Sequence, residues 1–296
     1  APWTASMFAT MTPAMELALA NGLPLLTAAA AGCTIAACYA ITTFRNELPP
    51  DAFWPQISLL GCDGPQRAVF RGGFVATAVL LAASIAVYVR VALPRFERHL
   101  QGRANIAAAL AFLSAIGLGL LGGVPLQRNC VDVLAGRAPL TADSAWHQLG
   151  ASAFFLASWA HGALAECVYA QSAHPRLAGP EVRLARQVRR AALATPVAGL
   201  VVLVALLAIL KPDAGTAMSL GAVHQWLSVG SMLVLYLTYR TDMRVLLVGG
   251  RAAQQLRDGS DDAGRGPRRS PGAGPGGPEY TGIDQVPRGA DDKASD

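Results

Sequence analysis

Charge is scarce in this chain: Asp, Glu, Lys and Arg make up 15% of its 296 residues, where a soluble protein carries about 25%. Cysteine is sparse too. The five cysteines include no CxxC pair, and no HExxH occurs, so the common zinc signatures are missing. No Asn-x-Ser/Thr sequon stands at Asn21, Asn46, Asn105 or Asn129, so glycosylation offers no marker of sidedness. The apolar runs lack period-two alternation, which excludes a transmembrane β-barrel. The net charge of +5 and pI near 9.2 suggest nucleic acid at first sight. The basic residues, however, form no stripe with interleaved aromatics, which removes that class of partner.

What is present is apolar length. A helix needs about 20 predominantly apolar residues to cross a bilayer core, and six stretches qualify: Leu17 to Thr43, Val69 to Leu93, Ile106 to Leu126, Ala145 to Tyr169, Ala191 to Leu210 and Met218 to Tyr239. They hold most of the 53% hydrophobic content. Soluble core helices are rarely apolar all round for that length. The sequence therefore predicts an all-α, polytopic membrane protein of six transmembrane helices. Its parts are a cytosolic lead over residues 1–16, a membrane domain over 17–243 and a cytosolic tail over 244–296. The first run is too long for the h-region of a cleavable signal and lacks a basic flank, so it is expected to stay as a helix. From Arg251 onward Gly, Pro, Asp, Ser and Arg dominate without apolar periodicity, a composition that predicts disorder.

Arginine sets the orientation. The second connection carries Arg95, Arg98 and Arg103, the fourth carries Arg176, Arg183, Arg186, Arg189 and Arg190, and the C-terminal flank carries Arg240, Arg244, Arg251 and Arg257. The opposite connections are much poorer in positive charge. Under the positive-inside rule both termini are cytosolic, and the Pro-rich connection Phe53 to Arg71 faces a lumen or the exterior. This implies an integral membrane protein with the Pro-rich connection on the non-cytosolic side.

Two motif matches carry little. Gly117, Gly119 and Gly122 spell GxGxxG, but inside an apolar span that pattern signals close helix packing, not a dinucleotide site. Tyr280 and Ile283 fit the Tyr-x-x-apolar pattern of sorting signals, a short pattern that recurs by chance. Cys33, Cys38 and Cys167 fall within helices and read as small buried hydrophobes. Cys62 and Cys130 lie in the first and third connections, on the same side of the membrane, and form the candidate disulfide.

The Phe53 to Arg71 segment is the most informative part of the chain. Its prolines forbid a regular helix, while Phe53, Trp54, Ile57, Leu59 and Leu60 are too apolar to float free. An interfacial lid is predicted, with Trp54 at headgroup level. Polar groups gather on the same side: Asp63, Arg67 and Arg71 at the top of the second helix, His147 in the fourth, His224 and Gln225 in the sixth. His161 lies fourteen residues after His147, nearly four turns at about 3.6 residues per turn, so both share a face. Intramembrane polar groups usually face a bundle interior, so Asp63, Arg67, Arg71, His147, His224 and Gln225 are the candidate pocket. Hydrogen bonds that tie helices together are the simpler use of the same residues.

The loop motif Pro55, Ile57, Ser58, Gly61, Pro65, Gln66, Arg67 and Phe70 resembles the signature of the DRAM/FRAG/SFK family. His147-Gln-Leu-Gly150-Ala151 with Phe154-Phe155 is similar to that family's fourth helix, and Gln225-Trp226 followed by Tyr236 to its sixth. The family includes damage-regulated autophagy modulators, the post-GPI-attachment factor and the N-terminal region of CWH-type cell-wall proteins. The resemblance implies a multipass endomembrane or plasma-membrane protein concerned with lipid or GPI-anchor handling, trafficking or autophagy. Many members carry an acidic residue where Gln225 stands, so a role that needs charge there does not transfer.

Two functions remain open. The preferred one is a non-enzymatic membrane factor whose pocket holds a lipid headgroup, with membrane lipids and other membrane proteins as partners and no cofactor or metal. The alternative is a lipid-modifying acyl-transfer or hydrolytic enzyme using His147 with Ser58 or Asp63, and with Arg67 or Arg71 on a phosphate. No GxSxG elbow surrounds Ser58, which weighs against the enzyme.

Overall fold

A computed structural model of the chain describes residues 11–47, 54–62, 64–124, 139 and 141–263. It divides into two units, 1–254 and 255–296. The first holds the membrane-type helices. The described residues of the second, 255–263, are helical.

Among the described residues, six long helices build the fold: α1 Pro13–Phe44, α2 Gly64–Ala92, α3 Arg98–Gly123, α4 Ala142–Gln171, α5 Pro180–Leu210 and α6 Ala214–Ala263. No strand occurs among the described residues. The protein is an all-α polytopic membrane protein. Five helices are long and apolar enough to cross a bilayer, and α4, the most polar, falls outside that set.

Local sequence explains the ends. Thr12 caps α1 by accepting the Met15 amide at 3.3 Å, with Pro13 in the first turn, where its missing N–H costs nothing. Lys211 ends α5 in the left-handed conformation, φ 44°. Asp213 then starts α6 by accepting the Thr216 amide at 2.9 Å. The apolar run ends at Tyr239, but α6 continues to Ala263, because Met243, Leu246 and Leu247 prolong the buried stripe at helical spacing.

Glycines set the closest approaches between neighbours. A Cβ added at Gly117 would stand 2.6 Å from the Phe154 amide nitrogen, and one at Gly150 would stand 2.6 Å from that of Leu121. The backbones of α3 and α4 therefore touch directly, which is the packing role expected of the GxGxxG stretch. Gly73 does the same for Thr34 of α1, and Gly122 for Phe74 of α2. Of the three helical cysteines, Cys38 is buried as expected, whereas Cys33 and Cys167 are exposed on the outer surface. Their register on α1 and α4 turns them away from the interhelical seams, where a small apolar thiol is at ease in lipid.

Candidate functional site

The short 3₁₀ turn Ile57–Gly61 is buried, although it is not part of any long helix. Non-helical backbone at such a place must find its hydrogen bonds within the protein. It finds them on α6, while α4 meets the Ser58 side chain. Gln225 accepts the Ile57 amide at 2.8 Å and donates to the Ser58 hydroxyl at 3.2 Å. Trp226 donates its indole N–H to the Pro55 carbonyl at 2.9 Å. His147 Nε2 lies 3.3 Å from Ser58 Oγ, while its Nδ1 lies 3.3 Å from the Val124 carbonyl at the end of α3.

One donor pattern satisfies all of these contacts. Gln225 donates to Ser58, Ser58 donates to His147 Nε2, and His147 Nδ1–H donates to Val124. Both His147 and Ser58 are buried. Beside them Gly61 lets the Phe70 ring lie against the turn, since a Cβ there would stand 2.4 Å from Phe70 Cγ. Trp54 closes the outside, 5.8 Å from Trp226 and 6.2 Å from Tyr39 between ring centres.

The other predicted site residues are placed as follows. Gln66 is buried and donates to Glu47 at 2.6 Å. Hydrogen bonds from Arg45 and then Gln66 hold the Glu47 carboxyl below its ordinary range. Pro65 is exposed in the first turn of α2, Arg67 is half-buried and Arg71 is exposed. His224 faces α5, where a Cβ added at Gly199 would stand 3.1 Å from its Nδ1. His147 and Gln225 thus meet on Ser58, while Arg71 and His224 point elsewhere. Asp63, Cys130, Tyr280 and Ile283 lie outside the described residues. Cys62 is disulfide-bonded, and Cys33, Cys38 and Cys167 are free.

Beneath Ser58 and Gln225 lies a cavity of about 30 Å³ between Phe70, Thr77, Phe154 and Tyr236. It has room for about one water molecule and none for a lipid headgroup. Deeper in the bundle, Ser114, Ser158 and the Tyr236 hydroxyl form a triangle with sides of 2.6, 2.8 and 3.1 Å. His161 Nδ1 reaches the Ala107 carbonyl at 2.7 Å. Among the described residues no three His, Cys, Asp or Glu side chains cluster in the manner of a metal site.

Sequence reasoning missed a second cluster at the opposite end. Arg189 of α5 is fully buried, bonds Asp242 of α6, and donates to Thr238 at 3.0 Å. Its guanidinium sits between the rings of Tyr169 and Tyr239, at 4.7 and 4.8 Å from their centres. Glu166 of α4 lies 3.6 Å from Arg189 and also accepts from Arg186 at 3.0 Å and Arg190 at 2.7 Å. The available signal was Asp242, an acid set among apolar residues of the last helix. From Gln225 to Asp242 is about 25 Å along α6, close to the ~30 Å of a hydrocarbon core. The two polar clusters thus lie one bilayer core apart.

A family model described as Frag1/DRAM/Sfk1/Cwh43P N-terminal domain matches residues 21–246. The chain belongs to this family. The match spans α1 to the middle of α6 and contains every residue of the Ser58 clamp. No curated protein and no solved structure matches the chain.

Proposed function

We propose that this family member is a non-enzymatic membrane factor that handles lipids, GPI anchors among them, at the membrane face where the Trp54 segment docks. The observation that carries this reading is the Ser58 clamp. Residues from the loop, α4 and α6 that resemble the family's motifs are spent on one another, holding the segment across the bundle mouth with Trp54 toward the membrane. Groups so fully occupied fit a scaffold that presents a surface better than a site that turns over substrate. Six crossings go with this proposal, since α4 is sheltered by its neighbours and tolerates its polar residues there. Both termini are then cytosolic, and Cys62 pairs with Cys130 on the oxidising side of an endomembrane or the plasma membrane. Arg67, Arg71 and His224 are left as the groups nearest a lipid headgroup, and trafficking or autophagy machinery supplies the protein partners. Deleting the chain from its host should redistribute GPI-anchored proteins or phospholipids, read by surface labelling and lipidomics. An unchanged surface and lipid profile would overturn the proposal.

The 3.3 Å contact between His147 Nε2 and Ser58 Oγ favours a second reading, acyl transfer with Ser58 as nucleophile and His147 as base. Purified protein with defined phospholipids decides it: turnover lost in both Ser58→Ala and His147→Ala supports the enzyme, and no turnover by the unmodified chain removes it.

A further inference from the structure

At the level of Tyr236 and Tyr239, between the two polar clusters, the imidazole of His161 lines a cavity of about 20 Å³. Thr27 of α1 and Ser84 and Tyr88 of α2 line it too. The histidine is only 2% exposed, so it has no access to bulk solvent.

Three of these groups have given their hydrogens elsewhere. A carbonyl can only accept, so the His161 Nδ1 that meets Ala107 at 2.7 Å carries the ring proton and Nε2 is a bare acceptor. Nε2 has no hydrogen-bond partner among the described residues and, unlike Nδ1 of His224, is not closed off by its neighbours. Thr27 donates to the Leu23 carbonyl at 2.8 Å, and Ser84 to that of Leu80 at 2.9 Å. With both hydrogens so placed, the two hydroxyl oxygens, 3.2 Å apart, are acceptors as well.

The cavity thus gathers acceptors from α1, α2 and α4 and lacks a donor for them. A polar cavity of more than about 10–15 Å³ has room for one water, which brings two hydrogens, whereas the cavities that stay dry are apolar. A cation would also suit three acceptors. The Arg189 guanidinium, however, lies 4.8 Å from the ring centre of Tyr239, a wall of the same cavity, and repels one.

We propose that this cavity is a water site, in which one ordered water donates to His161 Nε2 and to the paired oxygens of Thr27 and Ser84. The water ties α1 and α2 to α4 through the bundle core. The site stands whether or not the chain handles lipid.

The test is X-ray radiolytic footprinting of the full chain in nanodiscs, with oxidised residues mapped by mass spectrometry. Radiolysis splits water where it sits, and the hydroxyl radical oxidises the nearest side chain. Met243 and Met232 are each 1% exposed, but Met243 lines the cavity and Met232 does not. Met243 should therefore be oxidised several times faster. Ala111→Val adds apolar bulk at another wall of the cavity, and Ser84→Val replaces one acceptor with apolar bulk. Each should bring Met243 down to the Met232 rate. Equal rates in the unmodified chain mean a dry cavity and overturn the inference, as does a fast Met243 rate that neither variant lowers. If neither variant folds, the two methionines of the unmodified chain still decide.

Discussion

Helices α4 and α5 lie next to each other in sequence and behave as opposites. The most apolar window of α5 has a mean hydropathy of 2.7, yet only 6% of it is buried. Helix α4 is too polar to join the apolar set, yet it buries two histidines, two serines and the glycine face that meets α3. Between these two helices, the more hydropathic one faces lipid and the more polar one faces the bundle interior. The helix that reads most clearly as membrane-spanning contributes least to the bundle interior, and the least clear one organises both polar clusters.

The largest test of this contrast is the fully buried ion pair that ties α5 to α6. Arg189→Leu leaves Asp242 buried without its partner and should cost about 3–5 kcal/mol, whereas Arg189→Leu with Asp242→Leu should recover most of that loss. Thermal unfolding in mild detergent measures both, and equal losses in the two variants would show that the pair does not anchor α5. Next in size, Gly150→Val on α4 drives a side chain into the α3 backbone and should cost about 1–3 kcal/mol. The exposed change Val204→Ala on α5 should stay within about 0.5 kcal/mol in the same assay. Similar costs at the two positions would break the comparison.

The smallest effect concerns the far end of α4. The Glu97 carboxylate accepts the Ser172 hydroxyl at 3.0 Å and the Ala173 amide at 2.9 Å, tying the segment after α4 to the start of α3. Its own backbone N–H, then Ser172 and Ala173, hold the carboxyl below its ordinary range. A depressed acid stabilises the fold above its unfolded pKa and loses that contribution as pH falls through the depressed value. Hydrogen exchange at the Ala173 amide should therefore quicken below the ordinary carboxylate range and become pH-insensitive in Glu97→Gln. Unchanged protection across that range would show that the carboxylate is not the tie.

Much of this was legible in the sequence because it depends on long apolar runs and on local chemistry. Each long apolar run lies for most of its length in one of the helices α1 to α6, and Gly117 and Gly122 pack as a small-residue seam. Glu166 pairs with arginines of the following segment, as its position near the end of α4 allows. The centre of the site was harder to see. Charge drew attention to Asp63, Arg67 and Arg71, whereas the hub is Ser58, a neutral hydroxyl whose partners stand on two distant helices. Helical periodicity gave the shared face of His147 and His161 but not what either would meet. Arg189 and Asp242 were hidden for a similar reason. In an arginine-rich stretch nothing local distinguishes the one guanidinium that turns inward from those that stay in water.

The Ile57 amide waits for an acceptor 168 residues further along the chain. During synthesis the first two helices must therefore enter the membrane with the segment between them unanchored, because neither His147 nor Gln225 yet exists. The turn settles only after the last helix has arrived. A chain halted before α6 would keep exposed backbone and a pair of aromatic rings without their cover, a feature that quality-control machinery could read as unfinished assembly.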